Sequence, residues 1–166
     1  MALSIVTIKD VGTVLRKRAT EVQDISNSRI QKLIDEMIPL MYEKDGIGLA
    51  ATQVNEGVRI AVLCPNPHQF AASRETQDAL VLINPCITRH SLFKEESEEG
   101  CLSVPEYFGI VKRWKSVTVS YQDRKGKAQT IKGSGLFGYC LQHEIDHLDG
   151  LLFVDRTKKI YHAPKL

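Results

Sequence analysis

No stretch of this chain is long and apolar enough to span a bilayer. The opening Met1-Ala2-Leu3-Ser4-Ile5-Val6 has an apolar run too short for secretion and lacks the basic, serine-rich character of a transit peptide. A cytoplasmic protein with no membrane partner is therefore expected. Charge of one sign is missing too: the formal net charge is only +2 and the 22 basic residues are spread along the chain, which argues against specific nucleic-acid binding. Cysteine is scarce, and Cys64, Cys86, Cys101 and Cys140 include no close pair, so reduced thiols are expected rather than a disulfide framework. Internal repeats, low-complexity tracts and strand-helix-strand alternation are absent, which leaves an α+β domain with mostly antiparallel strands. With no apolar heptad to suggest a partner face, a monomer is expected.

What is present, 166 residues at 43% hydrophobic and 25% charged, suits a single domain over residues 1–166 that buries its own core. Across 28–43, Ile30, Leu33, Ile34, Met37, Ile38 and Met41 repeat at helical spacing, with Ser28 and Gln31 as a capping-box signature. This predicts a core helix that carries no chemistry. Segments 58–63, 79–83, 116–121 and 129–132 are short and rich in Val, Ile, Thr and Tyr and read as strands, the last two joined by a turn at Asp123-Arg124-Lys125-Gly126. Residues 64–78, with Pro65 and Pro67, read as an exposed loop. The acidic run Glu95, Glu96, Glu98 and Glu99 reads mostly as a solvated face.

Chemistry first enters at Gln142-His143-Glu144-Ile145-Asp146-His147. On a helix, a spacing of four returns a side chain to nearly the same face, so His143 and His147 can share one ion. Leu136, Cys140, His143 and His147 follow the rhythm of a buried stripe, with Tyr139 and Leu148 beside it and Gly150 placed to stop the helix. The competing reading is two core histidines bonded to backbone carbonyls, with Glu144 solvated. Catalytic sites usually have three protein ligands and an open position. Cys140 lies seven residues from His147, about 10.5 Å along a helix axis and too far to converge with both histidines. Cys101, preceded by Gly100, is the best remaining candidate, although a free cysteine is also commonly a small buried hydrophobe. Further upstream, Gly46 and Gly48 let backbone approach closely, as a tight turn or as the wall of a site. Gln53 offers a neutral amide donor suited to a developing oxyanion.

Three segments, Gly46-Ile47-Gly48-Leu49-Ala50-Ala51-Thr52-Gln53, Glu99-Gly100-Cys101-Leu102-Ser103 and Gln142-His143-Glu144-Ile145-Asp146-His147, resemble in order and spacing the signature motifs of the peptide deformylases. The resemblance spans nearly the whole chain. Thr52 stands where proline is common, Asn55-Glu56 disturbs a frequent glycine, and residues 10–13 lack the usual proline-containing opening. These departures bear on loop shape and substrate affinity rather than on ligands.

The resemblance implies mostly antiparallel sheets packed around a C-terminal metal-binding helix, with an N-terminal core helix. It implies one divalent metal on Cys101, His143 and His147, with Fe2+ as the native ion and Zn2+, Ni2+ or Co2+ able to occupy the same ligands. Glu144 is implied as general base and acid, and Gln53 and the Leu102 backbone N–H as oxyanion donors. Gly46, Gly48, Leu102, Leu136, Tyr139 and Cys140 form the implied pocket for N-formylmethionyl nascent peptides, which could add a strand near Gly46 or Gly109. Asp146 either orients an imidazole, caps backbone or faces solvent. Lys158, Lys159 and Lys165 are either an ordinary solvated terminus or a weak contact for the ribosome. The rival readings are a zincin-like metallopeptidase and a noncatalytic protein whose metal is closed by a fourth ligand.

Overall fold

The computed structural model describes residues 3–163; Met1, Ala2, Pro164, Lys165 and Leu166 lie outside them. The first long element is helix α1, Ser28–Glu43, which buries Leu33, Ile34, Met37, Leu40 and Met41. Each such side chain contributes about 1.5–3 kcal/mol when fully removed from water. The cap differs from the expected capping box. Asn27 is the N-cap and accepts the Arg29 N–H, while the Gln31 amide donates to the Ile25 and Arg124 carbonyls. Asn one position earlier satisfies an orphan N–H, which frees Gln31 to tie the helix to the 123–126 turn.

Five strands, β1 (Gly48–Ala50), β2 (Ile60–Leu63), β3 (Leu80–His90), β6 (Ser116–Gln122) and β7 (Ala128–Ser134), form one sheet in the order β1-β2-β3-β6-β7. All its pairings are antiparallel. The turn between β6 and β7 is closed by the Gly126 N–H on the Asp123 carbonyl, with Gly126 at φ +79°. A second sheet, β4-β5-β8, comprises β4 (Lys94–Cys101), β5 (Val104–Trp114) and β8 (Ile160–His162). Residues 64–78 are not wholly loop. Helix α2, Phe70–Thr76, forms there, and Phe70 packs on Tyr42 with ring centroids 5.5 Å apart.

The acidic run lies on a strand whose outer face is solvated, as expected for most of it, and Glu99 alone of the four acids is buried. In β4, Ser97 and Glu99 are buried while Glu96 and Glu98 face out, an alternation imposed by pairing with β5. Intrinsic strand propensity opposes glutamate here, and the partner strand overrides it. Gly109 pairs with Glu99 on one side and Ile160 on the other, so no open strand edge exists at Gly109. β1 is an edge strand of its sheet.

Helix α3, Gly135–Leu148, packs across β1, β2, β6 and β7 and reaches β5. Leu141, Ile145 and Leu148 join Leu63, Leu82, Val117 and Val119 in one apolar cluster. Its end is set where the sequence predicts: Asp149 caps, Gly150 follows at φ +78°, and the Leu151 N–H returns to the Asp146 carbonyl. Helix α4, Phe153–Arg156, then seats Phe153 against Gly109 of β5. No described helix is long and apolar enough to cross a membrane.

Candidate metal centre and cleft

α3 carries His143 and His147 on one face, with the His147 ring fully buried and the His143 side chain 13% exposed. Cys101 arrives from the end of β4, where the pairing register with β5 shifts between Gly100 and Cys101. The Cys101 Sγ lies 3.2 Å from His147 Nε2, which is itself 3.2 Å from His143 Nε2. All three donor atoms fall within 4.8 Å of one another, and among the described residues they are the group that could hold a metal ion.

The surroundings decide which atoms are free to bind. Glu99 Oε2 lies 2.9 Å from His143 Nδ1, and because a carboxylate only accepts, Nδ1 carries the proton and Nε2 presents its lone pair. Two imidazole nitrogens and a thiol sulfur, all electron-pair donors, then converge on one point. That arrangement is unfavourable without a cation and fits a divalent ion. Arg113 grips Glu99 through Nε at 2.6 Å and Nη2 at 2.9 Å. Burial by itself would raise the Glu99 carboxyl, but the Arg113 and His143 hydrogen bonds outweigh it and hold it at about 2. Asp146 neither touches an imidazole nor faces solvent. It is buried and accepts from Arg113 Nη1 at 2.6 Å and from Arg156. His147 Nδ1 is buried with no hydrogen-bond partner among the described residues.

Gln53 sits in a short 3-10 turn, Ala51–Val54, and is 2% exposed. Its Oε1 accepts the Ala50 N–H at 2.9 Å, so the amide nitrogen points to the centre, where it donates to Ser103 Oγ at 3.2 Å and lies 3.5 Å from Cys101 Sγ. The departures nearby have local roles. Thr52 Oγ donates to the His147 carbonyl at 3.2 Å, a bond proline cannot make, and Asn55 adopts φ +63° while accepting the Val14 N–H. Both tie the turn down.

Glu144 is 3% exposed and its Oε2 has no partner among the described residues. Burial pushes its carboxyl up to about 7. Glu144, His143, Gln53 and Cys101 all line one cleft of about 850 Å³. Gly46, Gly48, Leu102, Leu136, Tyr139 and Cys140 line it as well. Leu136 is 39% exposed and lines the cleft rather than a buried stripe, while Gly138 in the same turn is the residue buried against β7. Cys140 stays outside the ligand cluster, its Sγ donating to the Ile47 carbonyl at 3.5 Å.

Residues 2–163 match the polypeptide deformylase family model. A peptide deformylase of Rhizobium meliloti is 44% identical over 147 residues, covering 89% of this chain and 81% of the relative. Peptide deformylase 2 of Gloeobacter violaceus is 42% identical over 165 residues, 99% of this chain and 84% of its own length. The crystal structure of a Synechococcus elongatus peptide deformylase in complex with actinonin superposes with a TM-score of 0.84 at 40% identity, covering 94% of this chain and 80% of that one.

The chain belongs to the peptide deformylase family. It is a metal-dependent hydrolase that removes the N-formyl group from formylmethionine at the start of newly made polypeptides and releases formate. The zincin-like reading falls away with that membership. Within the deformylase fold, sequence reasoning missed Arg113 and Ser103, both buried and both bonded to residues of the centre. Ser103 had a signal, its place directly after Cys101-Leu102. Arg113 had none, since Lys112-Arg113-Trp114-Lys115 offers several cations and only strand register turns one inward.

Proposed function

We propose that Cys101, His143 and His147 hold the metal of this deformylase and that Glu144 moves the proton during hydrolysis. The observation that carries this reading is the convergence of the three donor atoms within 4.8 Å beside a buried carboxylate with one oxygen unpartnered among the described residues. A divalent ion bound there would activate a water and polarise the formyl carbonyl. Fe2+ is the ion we assign as native, with Zn2+, Ni2+ or Co2+ as substitutes; a thiolate with two imidazoles suits any of these.

Glu144 takes a proton from the attacking water and delivers it to the departing amine, a role its apolar burial suits by bringing its pKa near neutrality. Gln53 Nε2 and the Leu102 backbone N–H steady the carbonyl oxygen as it becomes negative. The peptide lies along the open edge of β1 by Gly46 and Gly48, with the methionine side chain between Leu102, Leu136, Tyr139 and Cys140. A formyl carbon carries only hydrogen, so a narrow site accepts it and excludes bulkier acyl groups. The whole catalytic unit is one domain over residues 1–166 acting in the cytoplasm, where reducing conditions protect a ferrous centre beside a thiolate. Weak association with the ribosome through Lys158, Lys159 and Lys165 is the remaining part of this reading; Lys159 Nζ is also 2.8 Å from Glu96 Oε1.

The test is formate release from a formyl-methionyl peptide by protein purified anaerobically with ferrous iron, beside Glu144→Ala purified identically. Turnover by the native chain and loss of about a hundredfold or more in the variant, with metal content unchanged, is the expected result. A variant that loses its metal would contradict the proton-transfer role.

A further inference from the structure

A file of alternating charges runs from the surface to His143. Its outer end is Arg156 on α4, whose side chain is 44% exposed and whose Nε and Nη2 meet the two carboxylate oxygens of Asp146. Asp146 is 10% exposed at its side chain and shares its Oδ2 with Arg113 Nη1 at 2.6 Å. Arg113 uses its two remaining nitrogens on both oxygens of Glu99, and Glu99 Oε2 accepts from His143 Nδ1. The anchor of the outer end is firm, because Phe153, three residues before Arg156 on the same short helix, is 1% exposed in the core.

The charges in this file do not balance without Arg156. Glu99 and Asp146 are both buried carboxylates, and Arg113 is the one cation between them. A buried carboxylate deprived of a partner draws on whatever donor remains, because leaving it unpaired is costly. Removing Arg156 therefore sets Asp146 in competition with Glu99 for Arg113, and any shift of the guanidinium toward Asp146 loosens the carboxylate that orients His143.

We infer that Arg156 is a positioning residue for the metal centre: by satisfying Asp146 it lets Arg113 stay bidentate on Glu99, and Glu99 in turn fixes the ring of His143. It touches neither ligand nor substrate. The inference rests on the metal-centre reading above, and it concerns a guanidinium that could otherwise pass for an ordinary surface contact.

The experiment uses the full chain with zinc as the probe, comparing the native protein with Arg156→Gln, Arg156→Lys and Arg16→Gln. Arg16 pairs with Asp155 on the same helix and is half exposed, so its loss loosens α4 without touching the charge file. Zinc affinity is read by chelator competition, and the His143 Nδ1 proton by NMR of the zinc-loaded protein. Arg156→Gln should weaken zinc binding roughly tenfold, the low end for partners that orient a ligand, and move the Nδ1 proton upfield as its bond to Glu99 lengthens. Arg156→Lys, which cannot grip both oxygens, should fall between, and it carries the test if the Gln variant does not fold. Arg16→Gln should leave both readouts at native values. Unchanged zinc affinity and proton shift in the Arg156 variants, or an equal change in Arg16→Gln, would overturn the inference. A native chain that binds no zinc would instead overturn the metal-centre reading beneath it.

Discussion

Gly48 and Glu144 face each other so closely that a Cβ on the glycine would stand 2.3 Å from Glu144 Oε1 and 2.9 Å from Cys140 Sγ. The edge of β1 thus acts as a wall against the carboxylate, and the glycine is needed for space rather than for a special backbone angle. Gly48→Ala is expected to displace Glu144 and lower kcat by about a hundredfold, the scale of a misplaced catalytic group, with metal content retained. Formate release and elemental analysis on the same preparation check this, and a variant with native turnover would remove Gly48 from the account.

Cys101→Ala should abolish stoichiometric metal binding. His143 and His147 remain as a two-ligand chelate, and three protein ligands are the usual number for a catalytic ion. Treating the native chain with a chelator should abolish formate release, and returning ferrous iron should restore it. A Cys101→Ala protein that keeps one equivalent of metal after dialysis would show that the third ligand lies elsewhere.

Gln53→Leu removes the donor to Ser103 and the amide nitrogen beside Cys101 while keeping most of the volume. The expected outcome is a fall in kcat of about 10²- to 10³-fold, the range for losing one oxyanion donor, with a smaller change in KM. Steady-state kinetics on a formyl-methionyl peptide decides. A change confined to KM would reassign Gln53 to ground-state binding.

The basic tail calls for substitution rather than truncation, because Ile160–His162 is a strand paired to Tyr107, Phe108 and Gly109. Replacing Lys158, Lys159 and Lys165 with Gln should leave hydrolysis of a short formyl peptide intact and weaken cosedimentation with ribosomes at low salt. Equal cosedimentation would end the ribosome proposal. Deleting residues 158–166 should instead lower the melting temperature, by roughly 2–4 °C for each kcal/mol lost in a chain of this size.

The elements read correctly from sequence are those whose signal is local. The apolar spacing of α1, the β6–β7 turn and the Gly150 stop of α3 each depend on residues within a few positions of one another. Where a distant partner decides, local reading failed. The acids of β4 are strand because β5 pairs with them, Phe70 turns part of 64–78 helical by packing on Tyr42, and β8 covers the edge expected to be open at Gly109.

The sequence by itself determined that two histidines and a glutamate share one helix, because helical periodicity alone places residues four apart on one face. It also carried the three motifs that mark the family. Tertiary structure decided the rest. Cys101 reaches the histidines because strand pairing carries β4 to α3, and no spacing along the chain encodes that distance. The choice of Arg113 among neighbouring cations, the pairing of Asp146 with Arg156, and the close approach of Gly48 to Glu144 depend on which face of a strand or helix is buried against which neighbour. Burial and partnership are properties of the packed chain, since desolvation makes each buried charge take whatever opposite charge the fold brings within reach.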